Sequence, residues 1–468
     1  MEKIMPIEVV DTLISGAKII TMDSERRVYM DGALAIKGSH IVAIGSRLEI
    51  EKNYSSGHVI DGRRFVITPG FINSHVHITG DPLTRDYVPD DIHCPPQEKL
   101  TKWVLPRYLA HTPEDEKVSA QLASLEMLRS GATSFIEAGT FRHLDAVVEG
   151  VCTLGIRGRV GVMVQGRAFD PSENQTKLSD EAIRCLEDEV TRFPSRDDVL
   201  VSAWPLLVGH STNSDEVWKA AKAIADDKGL VISAHMSPYK DDPDWFLGEY
   251  GKRPIEHLAE IGVLGSNVCL THLAHIDEHE LEILAETGTN VIFCPLPALK
   301  GVFGVTSHGR YPEMAKAGIN ILLGTDGYDS DIMHSAQLVA ALFKDTHLDT
   351  RIFPAHEALS MLTVNAAKAM GMQDRIGSLE VGHKADFVCH DTDRPEWRPL
   401  LSIVNQLIWS ADGRGVHSVW VDGVRVIDNY HSTMIDEQEL YAKAQIAGEQ
   451  IIRRSEIPFI SPWPVIEN

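Results

Sequence analysis

Basic side chains are scarce in this sequence. Lys and Arg together number 44 against 67 Asp and Glu, which leaves a formal net charge of -23 over 468 residues. Such a charge repels phosphate backbones and anionic lipid headgroups, so neither nucleic acid nor a membrane is expected as a partner. Cysteine is sparse as well: Cys94, Cys152, Cys185, Cys269, Cys294 and Cys389 are scattered, with no CxxC pair. This argues against a disulfide framework, and the mostly apolar surroundings suit reduced, buried thiols in the cytoplasm. No stretch reaches about 18 uncharged apolar residues. The N-terminal MEKIMPIEVVDTLISGAKII also lacks the basic region, apolar run and small-residue cleavage site of a secretory signal. At 43% hydrophobic and 24% charged residues, disorder and fibrous structure are excluded. The length suffices for a large core or two domains.

What is present begins with short β segments over about residues 8–68, separated by Gly, Asp and Ser turn signals. A related pattern returns in KADFVCHD and GVHSVWVDGVRVIDN, where an Asp-Gly flanked by alternating apolar residues predicts a hairpin. The two ends are expected to build one small sheet domain, residues 1–68 with 371–430. Between them, over 69–370, apolar β-branched runs alternate with helical patterns. The runs are FVITPGFINSHVHI, GATSFIEAG, IRGRVGVMVQG, VLVSAWPLLVG, GLVISAHM, NVCLTHLAHI, TNVIFCPLP and INILLGTDG. Eight strands in regular β/α alternation predict a (β/α)₈ barrel in an α/β protein. A doubly wound open sheet is the rival, but no Gly-rich phosphate loop follows the first strand. Residues 431–468 begin as a helix and end in IPFISPWPVIEN, to which no role is assigned.

The 21 histidines are the suggestive figure, because imidazole is the commonest metal ligand. His75 and His77 lie two apart at the end of the first barrel strand, so both can face one ion above the barrel mouth. Alone this pair is weak evidence. His235 ends the fifth strand, His272 the sixth and Asp326 the eighth, and barrel enzymes place their catalytic groups at these strand ends. Four independent strand ends with metal-type ligands outweigh a reading as separate capping or packing residues. His275, three residues beyond His272, is read as a loop residue.

The run from Pro69 to His77 (PGFINSHVH), Gly324-Thr325-Asp326-Gly327, Asn365-Ala366-Ala367-Lys368-Ala369 and Ile376 to Asp386 (IGSLEVGHKAD) resemble the amidohydrolase superfamily. The likeness covers almost the whole chain and is greatest to the branch of cytosine, guanine and S-adenosylhomocysteine deaminases and triazine hydrolases. It implies a metal-dependent (β/α)₈ barrel with a small composite β-sandwich from both termini, acting on a small molecule as a homo-oligomer. It also implies that His75, His77, His235 and Asp326 hold one divalent ion, with Asp326 as general base and His272 orienting water or stabilising an oxyanion. Zinc is the first expectation, although iron, cobalt and manganese suit three imidazoles and a carboxylate equally well. Two-metal members use a lysine at the end of the fourth strand; VLVSAWPLLVGHST has none, which favours a single ion.

One departure bears on the substrate. Deaminases of this branch carry a glutamate three residues after the fifth-strand histidine, to protonate the ring nitrogen. Here that position is Pro238, in His235-Met236-Ser237-Pro238-Tyr239. Ring deamination then lacks its acid unless Tyr239, Asp241 or Asp242 supplies one. A urea, amide or carbamate carbonyl needs no such proton, and this is similar to the phenylurea and thiocarbamate (molinate) hydrolases. The expectation is therefore hydrolysis of a non-peptide C–N bond of that kind, with deamination, dechlorination or dealkylation of a nitrogen heteroaromatic as the alternative. His210 and Tyr239 are candidate substrate contacts. Residues 79–105, with Tyr87, His93, Cys94, Pro95, Pro96 and Trp103, suit a lid loop over an apolar or aromatic substrate. Asp329 or Ser330 is read as a helix cap. The loop from Pro295 to Gly304 lacks the Ser-Asn pair of several deaminases, which predicts a less polar pocket.

Overall fold

A computed structural model describes residues 7–92, 94–170 and 172–466. Eight parallel strands, labelled β1 to β8, close a barrel. They are Phe71–Val76, Ala132–Glu137, Arg157–Val160, an interrupted fourth strand of Val201–Ala203 and Leu206–Gly209, then Ile232–Met236, Val268–His272, Asn290–Phe293 and Ile321–Leu323. β4 breaks at Trp204-Pro205 because proline has no N–H for the ladder. Each strand pairs with its sequence neighbour, and a parallel bridge between Val76 and Asp326 joins β8 back to β1. β1, β2, β5 and β6 are buried at every residue, as expected of parallel strands covered on both faces.

The helices between them follow local signals. In Asp215–Lys228, Val217, Trp218, Ala221 and Ala225 recur at helical spacing and are buried; Ser214 caps the start by accepting from the Val217 N–H, and Gly229 ends it. Asp277 and Glu280 form a capping box for Glu278–Thr287, which stops at Gly288.

Both termini build the second sheet. Its strands run, edge to edge, His431–Ser432, Val424–Asp428, Val416–Val421, Phe387–Asp391, Phe65–Pro69, Thr12–Ile20, Val28–Lys37 and His40–Ser46, with Val59–Asp61 paired to Thr12–Ile20. Phe65–Pro69 is separated from β1 by Gly70 alone, where a Cβ would lie 2.0 Å from Thr133 Oγ1. The strand that bears the histidines thus continues out of the small sheet. Beside this junction Arg157, at the start of β3, meets Asp386 at 3.0 Å, and their side chains are 1% and 2% exposed.

The C-terminal helix Glu437–Ser455 lies on Pro113–Arg129, tied by Arg454 to Asp115 at 2.6 Å and Arg129 to Glu437 at 3.3 Å. Beyond it the chain reaches the lid, where Phe459 packs on Tyr87 with ring centres 5.8 Å apart. Among the described residues no helix is long and apolar enough to cross a membrane.

Several expectations change. The lid segment is not an irregular loop: helical turns run over 96–109, with a π-type turn at Leu100–Val104. The last of them, Leu105–Leu109, packs against the C-terminal helix, which no local pattern announces. His93 lies outside the described residues, as does the side chain of Pro96. Cys269, Cys294 and Cys389 are buried, but Cys152 is exposed and Cys94 and Cys185 are half-buried, because helix and loop positions do not share the burial of strands. The cap of Ile332–His347 is Asp331, which accepts from the Met333 N–H, rather than Asp329 or Ser330.

Candidate metal centre at the barrel mouth

The site forms where the barrel closes. The carbonyl of His75 accepts from the N–H groups of Thr325 and Asp326, and the Asp326 carbonyl accepts from the His77 N–H. Asn73 donates to Thr325 Oγ1 at 2.8 Å and accepts from the Thr325 N–H at 3.2 Å. The Asn-Ser-His-Val-His and Gly-Thr-Asp segments are therefore one hydrogen-bonded unit across the β1/β8 seam.

Around it the imidazoles crowd together. The His75 ring lies 5.5 Å from His77, 4.7 Å from His235 and 5.9 Å from His272. Asp326 Oδ1 is 3.2 Å from His77 Nε2, and Oδ2 is 3.9 Å from His272 Nε2. His75, His235, His272 form one set of donors within 4.8 Å of one another; His75, His77, Asp326 and His272, Cys294, Asp326 form two more.

Neighbours fix the rings. A register shift in β4 turns the Val208 carbonyl toward His235, and it accepts from Nδ1 at 2.9 Å, leaving Nε2 for the site. The shift requires Gly209, at φ +79°, where a Cβ would stand 2.0 Å from the His235 carbonyl oxygen. Thr271 Oγ1 holds His75 Nδ1 at 3.1 Å. Phe303 sets its ring edge-on to His272 at 5.2 Å. His210, Ser237, His272 and Asp326 all have positive φ, strain of about 1–3 kcal/mol each that concentrates at functional sites.

Burial pushes His75 and His235 far below the ordinary imidazole value, and brings His272 down to about 4 despite the opposing charge of Asp326. Neutral imidazole is the form that ligates. His77 differs: burial lowers it, but the Asp326 carboxylate, with Asp81 and Glu137 behind, raises it overall. Burial raises Asp326, yet contact with His77 and the charges of His272 and His75 hold it below the carboxylate range. Buried nitrogens at His75 Nε2, His77 Nδ1 and His272 Nδ1 have no hydrogen-bond partner. Such orphans cost about 1–3 kcal/mol each. Nitrogen and carboxylate donors so arranged fit a divalent cation.

The structure thus brings His75, His77, His235, His272 and Asp326 together. His210 stands at the mouth, stacked on His235 at 5.6 Å with Nδ1 2.6 Å from Asp242 Oδ2. Asp242 also accepts from the Ser237 N–H at 2.7 Å, while Asp241 is exposed. Tyr239 turns its hydroxyl to the Gly301 carbonyl at 3.2 Å and packs its ring on Phe303, so it forms wall rather than acid. His275 Nε2 bonds the Phe303 carbonyl and stays outside. Sequence reasoning missed Cys294, although it directly follows β7, where the strand-end rule points. It also missed Thr271 and Phe303, whose neighbours come from distant segments.

A family model described as Amidohydrolase family matches residues 66–426. A 5-methylthioadenosine/S-adenosylhomocysteine deaminase of Aquifex aeolicus is 30% identical over 429 residues, 90% of this chain and 94% of that one. Among solved structures, a zinc-bound adenosine deaminase from Xanthomonas campestris is 26% identical with a TM-score of 0.85, covering 96% of this chain and all of that one. The atrazine chlorohydrolase of Arthrobacter aurescens, complexed with zinc, has the same fold at 22% identity and a TM-score of 0.84, over 93% of this chain and 100% of its own. With the matched region spanning the whole barrel and the seam that carries the histidines, the chain belongs to the amidohydrolase family, metal-dependent hydrolases acting on C–N bonds.

Proposed function

We propose that the chain is a hydrolytic deaminase, using one divalent ion, zinc in the first instance, to replace the exocyclic amino group of an adenine-type heteroaromatic by oxygen. The observation that carries this reading is the His210–Asp242 pair. The urea and carbamate expectation rested on Pro238 leaving ring chemistry without an acid, and Asp242, four residues on, returns a carboxylate to the mouth with an imidazole on it. The relatives named as deaminases of 5-methylthioadenosine and S-adenosylhomocysteine point the same way.

His75, His77, His235 and Asp326 would hold the ion. When bound, it supplies the Lewis acidity that makes water a nucleophile near neutral pH. Asp326 accepts the proton of the attacking water and returns it to the departing nitrogen, so that water is consumed and ammonia released. His210, held through Nδ1 by Asp242, delivers a proton to the ring nitrogen next to the attacked carbon and regains one from the adduct's hydroxyl as the carbonyl forms and ammonia leaves. His272, kept neutral by burial and steadied by Tyr311 through its carbonyl, orients the water. Phe303 and Tyr239 supply an apolar wall against the ring.

Mass spectrometry after incubation with 5-methylthioadenosine, S-adenosylhomocysteine, adenosine, an aryl urea and a thiocarbamate tests this. An intact ring with the amino group exchanged for oxygen is expected. Cleavage of the urea or thiocarbamate into two fragments, with the adenosyl compounds untouched, would reverse the assignment.

A further inference from the structure

The two oxygens of Asp326 do not face the same donors. Oδ1 is turned to His77, 3.2 Å away; Oδ2 is turned to His272, 3.9 Å away. On that second side Cys294 Sγ joins His272 and Asp326, all three donor atoms within 4.8 Å of one another. Cys294 is fully buried and His272 is 5% exposed. No bound water or charged neighbour is required to bring these groups together, because each sits at the end of an adjacent barrel strand, β6, β7 and β8. We propose a second cation site at His272, Cys294 and Asp326, which shares the Asp326 carboxylate with the catalytic ion and takes a thiophilic divalent metal such as zinc or cobalt.

The donor set suits that class. A thiolate, an imidazole and a carboxylate oxygen form a borderline-soft site that favours zinc and cobalt over magnesium or calcium. The thiol proton leaves to solvent as sulfur binds. Filling the site removes Oδ2 of Asp326 and the His272 ring from the reaction, the first being needed to move a proton and the second to orient water. The second ion is therefore inhibitory, and the protein is slowed by excess of the metal that activates it. The binding claim does not depend on the substrate, so it stands or falls apart from the deaminase assignment.

The test is a stepwise titration of metal-free full-length protein with cobalt(II), followed by absorption spectroscopy and by metal analysis after equilibrium dialysis. The first equivalent is expected to give ligand-field bands with no sulfur-to-cobalt charge transfer, and a second, weaker equivalent to bring the near-ultraviolet thiolate band. Cys294→Ser should keep the first equivalent, which also reports that it has folded, and lose both the second and the thiolate band. Saturation at a single equivalent would overturn the proposal. So would a thiolate band with the first equivalent, since Cys294 would then ligate the catalytic ion. A second equivalent that binds without that band, or that survives in Cys294→Ser, would place the extra ion elsewhere and overturn it equally.

Discussion

At the scale of single residues the sharpest question is which group delivers a proton to the substrate. Replacing His210 by Gln, or Asp242 by Asn, is expected to lower kcat about 10²–10⁴-fold. Metal content should be unchanged, because neither residue is among the four proposed ligands. A variant with full activity would remove the pair from the mechanism. A second residue-scale prediction concerns Glu189, whose carboxylate accepts from the Val162 N–H at 3.0 Å. Burial raises its pKa from the ordinary 4.5 to about 7. The folded state then favours the protonated acid: there is no penalty below about pH 4.5, and the cost grows as the pH rises to about 7. By 1.36 kcal/mol per pKa unit the loss is on the order of 3 kcal/mol. Urea denaturation of Glu189→Gln at a series of pH values should lack this fall between pH 4.5 and 7; an unchanged slope would refute it.

At the scale of elements, the shift in β4 is what aims His235. Gly209→Ala would set a Cβ against the His235 carbonyl oxygen at a φ that disfavours any side chain. The Val208 carbonyl would then move off Nδ1. Loss of more than about 1 kcal/mol of stability and a 10–100-fold weaker metal affinity are expected, read by denaturation and by competition with a chelator. Elements were the most legible level of the sequence. The eight apolar runs became the eight strands, and the helices stop at Gly229 and Gly288 as their last periodic residues foretell, because period and punctuation are local properties. The metal-type residues were legible for the same reason: His75, His235, His272 and Asp326 sit at strand ends that the periodicity locates. What the sequence hid is non-local. The C-terminal helix packs on Leu105–Leu109 at the end of the lid segment, and Asp242 faces inward while Asp241 faces water, a choice made by the Ser237 N–H and not by either residue's type.

At the scale of the whole molecule, barrel and small sheet are joined by a charge pair in the dry seam between them. Removing one partner of such a pair strands the other in a low dielectric. Asp386→Ala is expected to destabilise the protein by about 3–5 kcal/mol in urea, leaving Arg157 with only the longer contact to Asp422 at 3.7 Å. The double variant Arg157→Met with Asp386→Leu should recover most of that loss; no recovery would mean that the pair contributes mainly through its other hydrogen bonds. The continuity of Phe65–Pro69 with β1 has a further consequence, in time. Thr68 bonds His390, a residue made 322 positions later, and the strand leading to His75 and His77 is registered along Phe387–Asp391. At about 5–20 residues per second a ribosome needs roughly 15–60 s to bridge that interval. The histidines of β1 are thus among the first ligands synthesised and among the last to be seated. A nascent chain arrested before residue 387 is expected to hold no ion against a chelator, and metal capture becomes a late checkpoint that only a finished polypeptide passes.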